Sequence, residues 1–231
     1  DSGRMFDLLL NNMGRDRSVF APDLPGFGDS DSLSNTVGIE SFAAVMAAFV
    51  DGLGLDSIDL LGYHIGSKVC VELARQCPHR VRRLVLISAP ILTNGELTLK
   101  ESLRLASEIQ FDGSHLLKLW AFIRQHSKCE TPLIVTHRAV AESLKAGEHG
   151  WAHRQASIEY RLGESLPKVE HPVLVLNPKD HLFEMTRRAG AFLKKGNLID
   201  KPHWANGFID ISCAEMAKEL RLFLGKAAKN H

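Results

Sequence analysis

The stretch IDLLGYHIGSKVCVELA, residues 58–74, narrows the choice of fold more than any other part of the sequence. A short apolar run meets a segment of helical character through a five-residue corner, Gly62-Tyr63-His64-Ile65-Gly66. The corner is too short for a loop. It predicts a strand that turns straight into a helix, with Gly62 and Gly66 letting the two come close and His64 lifted out at the apex. Histidine is among the non-glycine residues that more readily accept a positive φ, as such an apex requires. A strand feeding a helix in this way is half of a βαβ unit, so the neighbouring strands should be parallel and covered by helices.

The rest of the chain carries the same rhythm. Apolar runs at 17–22, 58–62, 82–90, 172–177 and 197–201 read as strands. Ile39, Phe42, Met46, Phe49, Val50 and Leu53 recur at helical spacing, and further helices are expected at 5–13, 67–77, 184–195 and 213–224. Residues 91–166 break the alternation with consecutive helical patterns and no strand between them. The predicted class is α/β, with a mostly parallel sheet, helices on both faces and a helical cap inserted after the third strand. Core segments 1–90 and 167–231 would flank the cap, 91–166.

Composition excludes several classes of function. The 231 residues are 45% hydrophobic and 24% charged, with a formal net charge of +1, which gives no drive toward nucleic acid or an anionic membrane. No apolar stretch reaches membrane-spanning length. Cys70, Cys77, Cys129 and Cys213 form no CxxC or metal-type spacing, which fits a reducing cytoplasm. No cofactor is expected.

Four segments together resemble the α/β-hydrolase superfamily. VFAPDLPGFGDSD is similar to the loop after that family's fourth strand. IDLLGYHIGSKVCVELARQCPHRVRRLVLISAP resembles its nucleophile elbow, the following helix and the sixth strand. PVLVLNPKD resembles the strand that delivers the acid, and DKPHW the late loop that delivers the base. The resemblance covers nearly the whole chain, and the order nucleophile, acid, histidine agrees with the family. It implies that His64 stands where the family carries Ser, that Asp180 orients a base, and that His203 is that base. It also implies upstream strands and a loop supplying one oxyanion donor, and the sequence reads as lacking them. Without the strand between 17–22 and 58–62, these two would face a gap of about 10 Å, two inter-strand spacings. The 231 residues alone are therefore expected to be insoluble or molten.

The implied chemistry can be built on His64. The helix begins directly after it, so the Ile65 N–H is placed as an oxyanion donor. An imidazole can act as a nucleophile through an acyl-imidazole, or His64 and His203 can together activate water. Tyr63 and Trp204 are candidate substrate contacts. Trp120, Phe122, Trp151, Tyr160 and Phe183 read mostly as core or cap packing, with some of them lining a pocket for a small apolar or aromatic substrate. Ser67 reads as a capping residue. A metal held by His64, His203, Asp180 and His181 is set aside, because an acid that sits behind the base cannot face both imidazoles; no metal is expected. The leading reading is hydrolysis of a small ester, lactone or related carbonyl compound. A non-enzymatic small-molecule binder and cofactor-free lyase or oxygenase-type chemistry remain alternatives, and the oligomeric state is open.

Overall fold

A computed structural model of the chain describes residues 2–33, 38–98, 109–145, 147 and 150–225. Four parallel strands lie in sequence order: β1 (Ile58–Tyr63), β2 (Val81–Ile87), β3 (Val173–Pro178) and β4 (Gly196–Lys201). Their central members are apolar on both sides. In β2, Leu84 and Leu86 face one layer with Cys70, Val71 and Ala74, whereas Val85 and Ile87 face the other with Met216, Leu220 and Trp204. Successive side chains point to opposite faces, so a strand with two buried faces must be apolar throughout. That is why the alternation of elements, and not a polar-apolar alternation within strands, carries the fold in this sequence.

Helix α1 (Asp7–Met13) and the carboxyl-terminal helix α7 (Cys213–Leu224) cover one face. Helices α2 (Ile39–Gly52) and α3 (Ile65–Gln76) cover the other, with Ile39, Phe42 and Ala43 packed on Val69 and Leu73. Between β2 and β3 the described residues include α4 (Ser114–Gln125), α5 (Leu133–Lys145) and α6 (Gly150–Glu159). Most of the helical pattern at 97–110 lies outside the described residues, as does the side chain of Trp151. Among the described residues no helix is long and apolar enough to cross a membrane.

Two expected elements differ. Residues 17–22 form no strand; they run as a loop with Val19 and Phe20 exposed, because no described strand lies alongside to complete a ladder. The helical stretch therefore follows the second strand of the sheet instead of a third. The single helix expected at 184–195 is instead a turn of α-helix, Phe183–Arg187, that tightens into a 3-10 helix, Arg188–Phe192. Gly190 stands in that second part, and glycine disfavours a continuous α-helix by about 1 kcal/mol relative to alanine.

Candidate active site

The site is assembled by the ladder itself. Tyr63, Ile87 and Leu176 are paired across β1, β2 and β3. The register continues one residue further, with the His64 N–H on the Ile87 carbonyl at 3.0 Å and the Ser88 N–H on that of Leu176 at 3.3 Å. His64 and Ser88 thus leave the carboxyl ends of adjacent strands side by side, and Asp180 follows the end of the next. Ligands bind in open α/β sheets at this edge.

His64 sits at φ 50°, ψ −115°. Among the described residues only one other non-glycine residue has a positive φ, and it is Ser88, also at 50°. Such backbone costs of order 1–3 kcal/mol at each residue and persists only where the surroundings impose it. The corner also explains Gly62: a Cβ there would overlap the Gly66 carbonyl and stand 2.6 Å from the Ser67 nitrogen. Gly66 is different. A Cβ there would meet nothing within 4 Å, so only the first of the two glycines is demanded by close approach.

The two strained residues share one target. The Ser88 hydroxyl donates to Asp180 Oδ2 at 2.6 Å, and His64 Nε2 lies 3.2 Å from the same oxygen. The Leu182 N–H donates to Oδ1 at 2.8 Å. The Asp180 side chain is 1% exposed, whereas the His64 ring is 27% exposed. Burial pushes the Asp180 carboxyl up, but the hydrogen bond and charge of His64, with the bonds from Ser88 and Leu182, bring it below the ordinary carboxylate value. Asp180 is ionised near neutrality and accepts the Nε2 proton of His64. In the neutral form of that ring the other nitrogen, Nδ1, is the one with the lone pair.

Tyr63 stacks on His64, with ring centroids 3.8 Å apart, and burial holds its phenol protonated. The ring of His181 stands 5.5 Å from His64 and that of His126 5.5 Å from His181, while Phe122 packs 5.1 Å from His181. Burial, followed by the charge of His64, brings the His181 imidazole down to about 4, so it is neutral near pH 7. Ser67 is fully buried and its hydroxyl donates to the His64 carbonyl at 2.6 Å, tying the corner to the first turn of α3. The Ile65 N–H opens α3, whose first amides have no partner within the helix.

His203 is placed elsewhere. Its Nε2 lies 2.9 and 3.0 Å from the two oxygens of Glu215, and the ring is 53% exposed. The expected hydrogen bond between His203 and Asp180 is absent, so Asp180 bonds the imidazole at the corner and not the late one. The physical reason is the local competition for charge. Glu215 is pushed up by burial, yet the hydrogen bonds it accepts from Trp204, His203 and Lys201 hold it at about 2. Asp180 is already occupied by two donors on Oδ2. Trp204 is also not beside His64; it is fully buried, stacked on Phe208, with its indole N–H on Glu215 at 2.9 Å. A small cleft of about 30 Å³ lies next to His203, between Lys128, Thr131 and Asn206.

The alpha/beta hydrolase fold family model matches residues 2–126, more than half of the chain. The chain belongs to the alpha/beta hydrolase fold family. A curated relative, 2-hydroxy-6-oxo-2,4-heptadienoate hydrolase of Pseudomonas putida, is 40% identical over 82 residues, which is 35% of this chain and 30% of that protein. 2-Hydroxymuconate semialdehyde hydrolase of a Pseudomonas species is 26% identical over 189 residues, 75% of this chain and 63% of that protein. The chain spans less than two thirds of either relative's length, 30% and 63%. A hydrolase from Pseudomonas aeruginosa superposes with a TM-score of 0.81 at 19% identity, over 97% of this chain and 86% of that one. An esterase from Exiguobacterium antarcticum gives 0.83 at 17% identity, over 96% and 87%. At these identities the likeness establishes the fold that family members share.

Ser88, His126, His181 and Glu215 are the neighbours that sequence reasoning did not assign to a site. Ser88 had one usable signal: it is the small polar residue that ends an apolar strand, next to the strand that carries the corner. His181 had its adjacency to Asp180. For His126 and Glu215, which reach their partners across 55 and 12 residues, no local pattern exists.

Proposed function

We propose that this chain belongs to an enzyme that hydrolyses an ester, lactone or related carbonyl bond, using His64 on Asp180 in place of a serine-led triad. The observation that carries this reading is the Asp180–His64 hydrogen bond at the strained corner. In a serine-led site the order is carboxylate, imidazole, hydroxyl. Here the imidazole itself occupies the corner, so the order becomes carboxylate, imidazole, water. Asp180 holds Nε2–H, Nδ1 takes a proton from water, and the resulting hydroxide attacks the carbonyl. The Ile65 N–H stabilises the oxyanion from the end of α3. His203, engaged with Glu215, takes no part in this step.

Helices α4–α6 act as a cap, and Phe122 on α4 with Tyr63 supplies aromatic walls beside the imidazoles. That lining suits a small planar or aromatic carbonyl compound. The names of the two curated relatives, both hydrolases of unsaturated oxo compounds, point to the same class. All four cysteines are free, which fits a reducing cytoplasm.

The test is turnover of activated esters and enol-lactones by the untagged protein, compared with equal free imidazole. His64→Ala and Asp180→Asn should each lower kcat by about 100-fold or more, whereas His203→Ala should stay within a few-fold of wild type. A fluorophosphonate should label none of these proteins. Wild-type activity in His64→Ala would end the assignment, and steep loss in His203→Ala would return the base to the late histidine.

A further inference from the structure

The same corner brings together more donors than one proton relay uses. We propose that His64, Asp180 and His181 form a binding site for a divalent transition-metal ion of the zinc type, with two nitrogen donors and one carboxylate oxygen. This goes beyond the hydrolytic reading and does not depend on it.

Three observations support the site. First, one ligand atom from each of the three residues lies within 4.8 Å of the others. Donors about 2.0–2.1 Å from a tetrahedral ion stand about 3.4 Å apart, and His64 Nε2 and Asp180 Oδ2 are already 3.2 Å apart. The His181 donor lies within 4.8 Å of both, so only its ring has to swing, by up to about 1.4 Å, to complete a facial set of two imidazoles and a carboxylate. Second, His181 Nδ1 is buried and has no hydrogen-bond partner. A buried ring nitrogen left without a partner costs about 1–3 kcal/mol, and a metal ion nearby would remove that cost. Third, the outer partners are in place. The Ser88 hydroxyl and the Leu182 N–H orient the carboxylate, as second-sphere groups do around bound metals. The His126 ring packs 5.5 Å from that of His181, and its Nδ1 is 2.9 Å from the Phe122 carbonyl.

The ground for setting a metal aside in the sequence was that Asp180 would stand behind a base histidine. In the fold, Asp180 faces the corner imidazole directly, and His181 closes the third side. Binding is an exchange of ligands with no net oxidation. The ion takes the Nε2 lone pair, the ring proton moves from Nε2 to Nδ1 through solvent, and the Asp180–His64 hydrogen bond is replaced by two metal bonds. Metal occupancy and an Nδ1 base therefore exclude each other.

The experiment uses untagged protein, freed of metal by chelation. It is titrated with Zn²⁺ by calorimetry and with Co²⁺ by visible absorption, whose ligand-field bands report imidazole coordination without reference to activity. One ion per chain is expected for wild type. Affinity should fall about 10-fold or more in His181→Ala and in Asp180→Asn, and be unchanged in His203→Ala and Cys129→Ser. Far-UV circular dichroism checks that each variant is folded, and His181→Ala, which leaves the His64 and Ser88 bonds to Asp180 in place, keeps the test decisive if Asp180→Asn unfolds. No saturable binding by wild type, or full affinity in His181→Ala, overturns the proposal. Loss confined to His203→Ala or Cys129→Ser would also overturn it, by placing the ion elsewhere. Because binding is read directly, failure here leaves the hydrolytic reading standing, and failure of turnover leaves this one standing.

Discussion

Lys68 stands in the first turn of α3, 2% exposed, with its ammonium donating to the Ser157 carbonyl near the end of α6. No carboxylate neutralises it among the described residues. Burial brings its pKa from 10.5 down to about 8. At about 1.4 kcal/mol for each pH unit, that fall means the charged folded form carries a cost of about 3 kcal/mol at pH 7. Lys68→Met keeps the volume and removes the charge, but it strands the Ser157 carbonyl, a loss of about 1 kcal/mol. The variant should therefore be about 2 kcal/mol more stable than wild type at pH 7. The sign with pH follows from proton binding. Between pH 8 and 10.5 the unfolded lysine is protonated and the folded one is not, so wild-type stability rises through this window. The advantage of Lys68→Met should shrink from about pH 8 and reverse near pH 10, where the lost hydrogen bond alone remains. Urea unfolding of both proteins at intervals from pH 6.5 to 10.5, with tryptophan fluorescence as the probe, gives the difference directly. A flat difference across that range, or a less stable variant at pH 7, would refute the reasoning.

The corner offers two further tests. Gly62→Ala should destabilise by about 2 kcal/mol or more, since its Cβ would overlap the Gly66 backbone and not a movable side chain; a thermal melt within error of wild type would contradict the packing described. At position 64, glycine should be more stable than alanine by about 1 kcal/mol or more, the reverse of an ordinary helical or strand position, because φ 50° with ψ −115° strains any residue with a Cβ. Equal melting temperatures for His64→Gly and His64→Ala would show that the corner relaxes once the imidazole is gone.

What the sequence disclosed follows from how local each signal is. The strands at 82 and 172 were readable because a strand buried on both faces is a run of apolar residues, and those at 58 and 197, half-exposed at the sheet's edges, because shorter apolar runs recur between helical segments. The carboxyl-terminal helix was readable to its end residues, Cys213 and Leu224, because Met216, Leu220 and Leu224 repeat at helical spacing. Residues 17–22 carried the same apolar signal and yet form no strand, since a ladder needs a partner that local pattern cannot supply. The site divides in the same way. His64 and Asp180 are local features, an apex between glycines and an acid that ends a strand. Which histidine the acid bonds is decided in three dimensions. Glu215, on the first turn of α7, collects His203, Trp204 and Lys201, and no spacing rule connects it to any of them.

Asp180 Oδ2 accepts from two strand ends at once, and this makes a last prediction sharper than any single substitution. Remove the Ser88 hydroxyl, and His64 still satisfies that oxygen; remove the His64 ring, and Ser88 still does. Remove both, and a carboxylate 1% exposed keeps only the Leu182 N–H on its other oxygen. An oxygen left without a donor in that position costs far more than either bond is worth alone. The double variant Ser88→Ala/His64→Ala should therefore be less stable than the sum of the single variants by about 1–3 kcal/mol. The coupling should depend on pH in a definite direction. In wild type the Asp180 value is lowered, so its contribution is present above the unfolded carboxylate value and is lost as pH falls through the folded one. Without both donors burial dominates and the folded value rises, so the penalty belongs to the ionised form and should fade as the solution is made acidic. A double-mutant cycle measured by urea unfolding at pH 7 and again at pH 5 tests both halves. Additive losses at pH 7 would mean that the two strand ends do not share the carboxylate, and the geometry on which the His64 chemistry rests would have to be abandoned.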